Sequence, residues 1–285
     1  MKARALVSRM ALLGLVTLAL VAVRARSLAA KGEGRATDPA PDPVVEVPAY
    51  GEFLVIPLRV HVLSATDLPA VHCLLTDADV RRIVGKVNGI WHKAGIHWGL
   101  EAPIREPAAR QARFRLARDL VGEDDLRLFP LLLPEASRDF DGLHVYYLHA
   151  FPVNGVYMGD DYAIVQETAR LREVEGGIDE PIPRVTAHEL GHALGLPHRQ
   201  ARTNLLASGT TGTGLNADEV DRSRASARAI KGVATVAELR RAAEDASRAD
   251  DLPRARRLWT WLAEIPGAGA DEARRRLAAL ENPGD

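Results

Sequence analysis

The chain of 285 residues carries 37 basic and 38 acidic side chains, for a formal net charge of −1, and 47% of its residues are hydrophobic. This length predicts one medium domain with extensions, because two large domains would need a longer chain. The balanced charge excludes proteins that bind nucleic acid or anionic membranes through net charge. We therefore expect no nucleic-acid partner and a substrate that is recognised by a local site.

The first 30 residues differ in composition from the rest of the chain. Basic residues precede an apolar run over residues 10–23, and small residues follow at 27–29 in a pattern typical of signal cleavage. The run has 14 residues, fewer than the roughly 20 that span a bilayer. Residues 1–30 are thus predicted to be an export signal, and the protein to be secreted or periplasmic. Arg24 and Arg26 leave an uncleaved N-terminal anchor as the alternative.

Residues 31–49 are rich in proline, with small and charged residues between the prolines. This composition suits an extended linker and cannot form a core, so we expect folded structure to begin near Tyr50. Cys73 is the only cysteine, which excludes an internal disulfide. It lies in the apolar stretch VHCLL, where a buried core residue is the commoner role. A thiolate that caps a metal is the alternative.

Two elements stand out at the start of the folded part. Apolar residues over 52–63 predict a first strand, in which Pro57 indicates an edge or a bulge. Apolar residues then recur at helical spacing over 80–94, after the capping pair Thr76 and Asp79. These residues are predicted to form a long helix.

Gly95 ends this helix, and the alternation over residues 96–100 predicts a second strand. Trp91 and Trp98 are expected in the core. Residues 101–141 predict an insertion of short helices.

The later part of the chain contains further strands and a helical tail. Strand character returns over residues 143–148 and 162–165, with Asn154 and Gly155 as a turn between them. After residue 230 the composition changes to Ala, Arg, Glu and Leu, which predicts a helical hairpin over 231–285. Its small and large positions resemble one tetratricopeptide-like helical pair. The hairpin either packs on the preceding domain or binds a protein partner.

The chemistry is concentrated in the segment HELGHALGLPH, residues 188–198. His188 and His192 are four residues apart, so a helix projects both imidazoles from one face and they can share a metal ion. Glu189 is rotated by about 100° from His188, which lets its carboxylate reach a water molecule at the metal without becoming a ligand. One helical turn thus supplies two ligands and a base.

A catalytic zinc ion needs three protein ligands and an open fourth position. Gly195 can adopt the left-handed conformation that ends a helix, so the chain can turn and bring His198 to the metal. Three neutral imidazoles leave the full charge of one Zn²⁺ ion to acidify water and polarise a carbonyl. We predict His188, His192 and His198 as zinc ligands and Glu189 as the catalytic base.

The full pattern His-Glu-x-x-His-x-x-Gly-x-x-His at residues 188–198 resembles the elongated zinc motif of the metzincin peptidases, of the matrixin or reprolysin type. The order of strand, long helix, further strands and metal helix over residues 50–230 is similar to that fold. The resemblance implies an α+β catalytic domain over 50–230, with a twisted mixed sheet, long helices and zinc at the active-site helix. The small α-helical C-terminal tail follows it.

The resemblance also implies a tight turn beneath the metal, in which a methionine forms an apolar floor. The matching segment is TNLLASG, residues 203–209, with Leu206 in place of the methionine. Leucine and methionine have similar volumes, so we expect activity to survive.

Two more segments gain a role from the resemblance. Residues 210–214 border the pocket for the residue after the scissile bond, or they form a flexible loop before a helix capped by Asn216 and Glu219. Residues 157–165 hold an edge strand that pairs with an extended substrate, or an ordinary sheet strand.

These observations predict an exported zinc metalloendopeptidase, a hydrolase that cleaves a protein or peptide substrate through a metal-activated water with Glu189 as general base. The alternative is a non-catalytic binding module, in which zinc only stabilises the fold. Glu189 discriminates between the two, because a structural zinc site needs no base.

Overall fold

The computed structural model describes residues 46–122 and 125–281, which form seven strands and seven α-helices. The strands are β1 (Leu54–Ser64), β2 (Ile96–Leu100), β3 (Ile104–Pro107), β4 (Leu143–Leu148), β5 (Gly155–Tyr157), β6 (Tyr162–Gln166) and β7 (Ala234–Thr235). The helices are α1 (Asp77–Trp91), α2 (Gln111–Val121), α3 (Pro181–Ala193), α4 (Ala217–Ala227), α5 (Val236–Arg248), α6 (Leu252–Glu264) and α7 (Gly269–Glu281). The predicted export signal lies outside the described residues. No helix within them is long and apolar enough to cross a membrane.

The seven strands join one mixed sheet, in which neighbours follow the order β2-β1-β4-β6-β5. β1 pairs in parallel with β2, β3 and β4, and β6 pairs in parallel with β4. β7 runs antiparallel to β1. β5 runs antiparallel to β6 and forms an edge of the sheet. The predicted mixed sheet with several helices is confirmed.

Pro57 pairs with Gly99 of β2 on one side of β1 and has no partner among the described residues on the other side, so it lies at a local edge, one of the two positions predicted for it. The backbone groups of Leu54 and Leu58 form hydrogen bonds on the β2 side of β1. Backbone groups of successive residues in a strand point to alternate sides, so the nitrogen of Pro57 points away from β2. There β7 pairs with Leu54 and Val55, and β4 begins to pair only at Leu58. Pro57 falls in the gap between the two partners, where a missing N–H costs no ladder bond.

Helix α1 begins at the predicted cap. Thr76 Oγ1 accepts a hydrogen bond from the Asp79 N–H at 3.1 Å, and Asp79 Oδ2 accepts one from the Thr76 N–H at 2.9 Å. Gly95 adopts a left-handed φ of 62° beyond the helix. Trp91 and Trp98 are fully buried and meet edge to face, with ring centroids 6.1 Å apart. Their predicted core role is confirmed.

The two faces of the sheet are covered by different parts of the chain, because successive side chains of a strand point to opposite faces. On one face, α1 and α3 pack on Leu54, Ile56, Leu58, Val60 and Val62 of β1. On the other face, the start of β1 packs on the C-terminal tail and its end packs on residues 101–141. The insertion therefore covers one end of the second face.

Cys73 is buried in the core beside α1, and its Sγ donates a hydrogen bond to Glu167 Oε2 at 3.2 Å. Burial raises the pKa of the thiol above its ordinary value, so the thiol is protonated at neutral pH. A cysteine that caps a metal needs the thiolate instead. The core role of Cys73 is confirmed.

The C-terminal tail has three helices, α5, α6 and α7, where the sequence predicted a hairpin of two. Trp261 on α6 lies against β2: a Cβ added to Gly99 would be 2.5 Å from the ring, and the Trp261 Nε1–H donates to Leu100 O at 2.8 Å. The tail belongs to the same compact unit as the sheet. The tetratricopeptide-like interpretation stays a prediction.

Candidate metal centre

Helix α3 carries the first part of the motif. It begins with Pro181, a residue suited to the first helical position, and the preceding Glu180 lies 3.1 Å from Lys86 Nζ of α1. His188 and His192 follow on one face, with ring centroids 4.6 Å apart. The helix therefore places the two imidazoles side by side, as their spacing predicts.

The end of α3 turns the chain back toward these two rings. Gly195 has a left-handed φ of 77°, and the Leu196 N–H donates to Gly191 O at 3.0 Å, a bond that closes helices ending in such a glycine. The chain then brings His198 to His192, with ring centroids 4.6 Å apart. The left-handed conformation predicted for Gly195 is confirmed.

The three imidazoles converge on one point. His192 Nε2 lies 3.0 Å from His188 Nε2 and 3.1 Å from His198 Nε2. A tetrahedral zinc ion with Zn–N bonds of about 2.0–2.1 Å separates its nitrogens by roughly 3.3 Å. Over residues 46–122 and 125–281, no other group of three His, Cys, Asp or Glu side chains brings its ligand atoms together in this way. The predicted ligands thus form a cluster that could hold a metal ion.

The hydrogen bonds of two of these rings favour a metal. His188 Nδ1–H donates to Leu205 O and His192 Nδ1–H donates to Leu196 O, both at 2.8 Å, so each Nε2 keeps its lone pair. Burial lowers the pKa of His188 to about 3 and also lowers that of His192, which keeps both rings neutral at pH 7. Two lone pairs 3.0 Å apart repel each other unless a cation lies between them, so the donor set fits zinc.

Glu189 lies beside the cluster but is not part of it. Its side chain is almost fully buried under strand β5, where Oε2 accepts a hydrogen bond from the Tyr157 N–H at 2.7 Å. A Cβ added to Gly155 would lie 3.2 Å from Glu189 Oε1. Burial raises the pKa of Glu189 to about 7, against the opposing effects of the Tyr157 bond and the Arg184 charge. The carboxylate is therefore buried and held against β5.

Residues 203–209 form a turn beneath α3, where the resemblance implied one. Leu206 is fully buried, and a Cβ added to Gly191 would lie 3.2 Å from Leu206 Cδ1. Asn204 Oδ1 accepts a hydrogen bond from the Leu206 N–H at 2.7 Å and holds the turn. The same turn supplies the Leu205 carbonyl that orients His188.

Residues 210–214 are packed against the preceding chain. The Thr211 N–H donates to Arg172 O, and Thr211 O accepts from the Ile178 N–H, both at 3.0 Å. Thr211 is 4% exposed. These contacts favour a fixed wall over a flexible loop, and the helix cap predicted at Asn216 is confirmed.

The edge strand is β5, and β6 lies between β5 and β4. Residues 162–165 therefore form an ordinary sheet strand, the second alternative predicted for this segment, and only Tyr157 of the segment lies in the edge strand. Gly155 belongs to the edge strand instead of the predicted turn. Strand pairing decides which strand lies outermost, and the sequence does not show it.

Arg184 is a site residue that the sequence analysis missed. It lies one turn before His188, is 2% exposed, and donates hydrogen bonds to Gly212 O at 3.1 Å and to Ala207 O. Arg184 Nη1 lies 3.1 Å from His188 Nδ1. Because Nδ1 of His188 carries a hydrogen that it donates to Leu205 O, the guanidinium and the imidazole are neighbours without a hydrogen bond between them. The only signal was one basic residue in the apolar stretch before the motif.

The remaining six histidines are His61, His72, His92, His97, His144 and His149. None joins the cluster in the described part of the chain. His61 and His144 are fully buried, with His61 Nε2 2.9 Å from His144 Nδ1 and His61 Nδ1 2.6 Å from Glu106 Oε1. The contacts of these two rings are structural.

The sequence model of the matrixin family matches residues 133–227, about one third of the chain, and this stretch contains the whole three-histidine cluster. The chain is a zinc metallopeptidase that is similar to the matrixin family over this stretch. It is therefore a hydrolase that acts on protein or peptide substrates, and its cluster could bind the zinc ion that such peptidases use. The matched stretch of this metallopeptidase includes Glu189 and Leu206, and the C-terminal tail lies outside it.

Solved structures of other zinc peptidases show only a weak likeness to this metallopeptidase. Archaemetzincin from Methanopyrus kandleri is 16% identical, with 61% of this chain and 92% of that chain covered and a TM-score of 0.30. A zinc-dependent peptidase from Methanocorpusculum labreanum is 16% identical, with coverage of 60% and 99% and a TM-score of 0.28. Metalloproteinase-II from Bacteroides fragilis is 12% identical, with coverage of 65% and 56% and a TM-score of 0.31. No curated protein matches the chain.

Proposed function

We propose that this metallopeptidase is an exported endopeptidase in which His188, His192 and His198 hold one zinc ion and Glu189 is the general base. The observation that carries the proposal is the convergence of three imidazole Nε2 atoms beside a buried carboxylate that stays out of the cluster. A site that only stabilised the fold would gain nothing from such a carboxylate, since burying an acidic group costs free energy.

Zinc bound at this site supplies the positive charge that acidifies water and polarises the scissile carbonyl. The Glu189 carboxylate accepts the proton of the attacking water and then donates it to the leaving amine. Its pKa of about 7 suits a group that must take up and release a proton near neutral pH. The Tyr157 N–H supports this role because its hydrogen bond holds the carboxylate in place.

The substrate is proposed to bind as an extended strand along the outer edge of β5. Gly155 and Tyr157 of this strand lie against Glu189, so a peptide paired with β5 passes close to the base. An exposed sheet edge offers unpaired backbone groups to such a peptide. Residues 210–214 then border the pocket for the residue after the scissile bond.

The test combines metal analysis with cleavage of a random peptide library, read by mass spectrometry, with and without chelator. Wild-type protein is expected to hold one zinc ion per chain and to cleave internal bonds. Glu189→Gln should keep the zinc and lose hydrolysis by several orders of magnitude. Alanine at any one of the three histidines should lower zinc affinity sharply, because two protein ligands remain.

Glu173→Gln is the matched control for Glu189→Gln, because Glu173 is an exposed glutamate outside the cluster. It should retain full activity. A zinc-loaded wild-type protein that cleaves no peptide would reject the endopeptidase and favour the non-catalytic binding module.

Export is proposed from the basic and apolar pattern of residues 1–30. Sequencing the N-terminus of the protein from a native-like host, after separation of membrane and soluble fractions, tests it. A mature N-terminus close to residue 30 is expected. An intact N-terminus that stays with the membrane fraction would favour the anchor instead.

A further inference from the structure

Glu219, at the start of α4, is more deeply buried than its capping role requires. It forms a capping box with Asn216, in which Oε2 accepts a hydrogen bond from the Asn216 N–H at 2.9 Å. Glu238 forms the same kind of box with Thr235 at the start of α5 and is exposed. Glu219 is 1% exposed. Burying a carboxylate costs free energy unless several donors compensate it, so other contacts must account for its position.

Those contacts lead to both sides of the histidine cluster. Oε1 of Glu219 accepts a hydrogen bond from Arg199 Nε at 2.6 Å, and Oε2 accepts one from Asn204 Nδ2 at 2.8 Å. Arg199 directly follows His198 in the chain. Asn204 holds the turn in which the Leu205 carbonyl orients His188. One buried carboxylate therefore joins the segment of the third histidine to the turn under the first.

His198 depends on this link more than the other two histidines do. The Nδ1 atoms of His188 and His192 each donate to a backbone carbonyl, which fixes the orientation of those rings. Within the described residues, the His198 ring makes no hydrogen bond apart from the contact of its Nε2 with His192. The position of this exposed ring must then come from its backbone. That backbone is fixed next to His198 by the Arg199 N–H, which donates to Leu206 O at 3.0 Å, and by the Arg199 side chain.

We propose that Glu219 is a positioning residue of the metal site, which places His198 through Arg199 and steadies the turn under His188 through Asn204. The inference rests on the proposed ligand set. Removing a group that orients a metal ligand typically lowers metal affinity or activity by roughly 10- to 100-fold. A residue that only caps a helix leaves metal affinity unchanged.

The experiment measures zinc affinity by competition with a chelating dye, and the absorption spectrum of the Co²⁺-substituted full-length protein. Glu219→Gln keeps the size of the side chain and removes the negative charge that pairs with Arg199. We expect zinc affinity to fall by roughly 10- to 100-fold, with a changed Co²⁺ d–d spectrum. Peptide hydrolysis at saturating zinc should show a lower kcat with little change in KM.

Glu238→Gln is the matched control, since it alters the same kind of capping box away from the cluster, and it should leave the affinity and the spectrum unchanged. Arg199→Gln is the second variant: it leaves the Glu219 cap intact and keeps the backbone N–H, so it tests the link even where Glu219→Gln does not fold. Its affinity should fall in the same direction. The double variant should lose no more than the stronger single variant, because both act through one contact.

Wild-type affinity and spectrum in both Glu219→Gln and Arg199→Gln would overturn the inference and leave Glu219 as a helix cap. These readouts do not depend on hydrolysis. If the wild-type protein binds zinc and cleaves nothing, the proposed function fails while the positioning role is still decided by affinity and spectrum.

Discussion

Leu206 packs against Gly191, on the stretch of α3 between the two metal-site histidines. A methyl group at Gly191 would come within 3.2 Å of Leu206 Cδ1, which leaves no space between helix and turn. Leu206 is the one position at which this chain departs from the methionine of the family it resembles. The contact indicates that leucine fills the floor by itself.

Leu206→Met should cost less than about 1.5 kcal/mol of stability and leave the zinc affinity nearly unchanged, because the two side chains have similar volumes. Leu206→Ala should cost roughly 2–5 kcal/mol and also weaken zinc binding, because a cavity opens under the ligand cage. Urea unfolding and zinc titration measure both effects.

Leu132→Ala is the matched control for the cavity. Leu132 is fully buried in the cluster of apolar residues between the sheet and α2. Leu132→Ala should lower stability by an amount similar to Leu206→Ala and should leave zinc affinity unchanged. Equal zinc affinities in Leu206→Ala and Leu132→Ala would show that the floor does not support the ligands.

Arg184→Lys should lower stability by about 1–3 kcal/mol, because the smaller ammonium cannot reach the carbonyls of both Ala207 and Gly212, and an unsatisfied buried carbonyl is costly. Burial lowers the pKa of Arg184 to about 10, so the native guanidinium is charged at pH 7. Denaturant unfolding of the zinc-loaded protein measures the loss. Arg113→Lys, at an exposed position on α2, is the control, and an equal loss in both variants would contradict the bridging role.

Trp261→Ala should destabilise the protein by roughly 3–5 kcal/mol, because it removes a buried ring that covers Gly99 of β2. Its zinc affinity in the folded state should match that of the wild type, since the tail supplies no residue to the cluster. Calorimetry and zinc titration measure the two quantities. A Trp261→Ala protein of unchanged stability would show that the tail does not stabilise the sheet.

Acid should destabilise the fold through His61 and His144. Burial lowers their pKa values to about 3 and about 4. The unfolded chain therefore takes up protons below pH 6.5 that the folded protein does not, and stability falls as the pH falls. Each histidine contributes about 2 kcal/mol between pH 6.5 and 5. Glu106 opposes this trend, because burial raises its pKa.

Charged side chains of both signs lie near His144. Arg59 and Arg138 lower the pKa of His144, while Asp161 raises it. Because zinc release also destabilises the protein in acid, the comparison is between the unfolding free energies of wild type and His144→Gln at pH 7 and pH 5. The variant should lose about 2 kcal/mol less over this interval. Equal losses of unfolding free energy between pH 7 and pH 5 in the two proteins would show that His144 does not destabilise the fold in acid.

Most of the candidate site was predictable from the sequence because its rules are local. A spacing of four residues places His188 and His192 on one helical face, and a glycine three residues later ends the helix. The first helix, its cap and the two core tryptophans follow from the same kind of pattern. Each of these features depends on residues that are close along the chain.

Only the tertiary structure decided what holds the site together. The contacts of Glu189 with Tyr157, of Glu219 with Arg199 and of Trp261 with Gly99 join residues that are 32, 20 and 162 positions apart. Strand pairing determines which strand forms the edge. Burial of apolar side chains determines that the tail packs on β2. A periodic pattern shows that a face is apolar, but only packing among distant segments selects the partner that covers it.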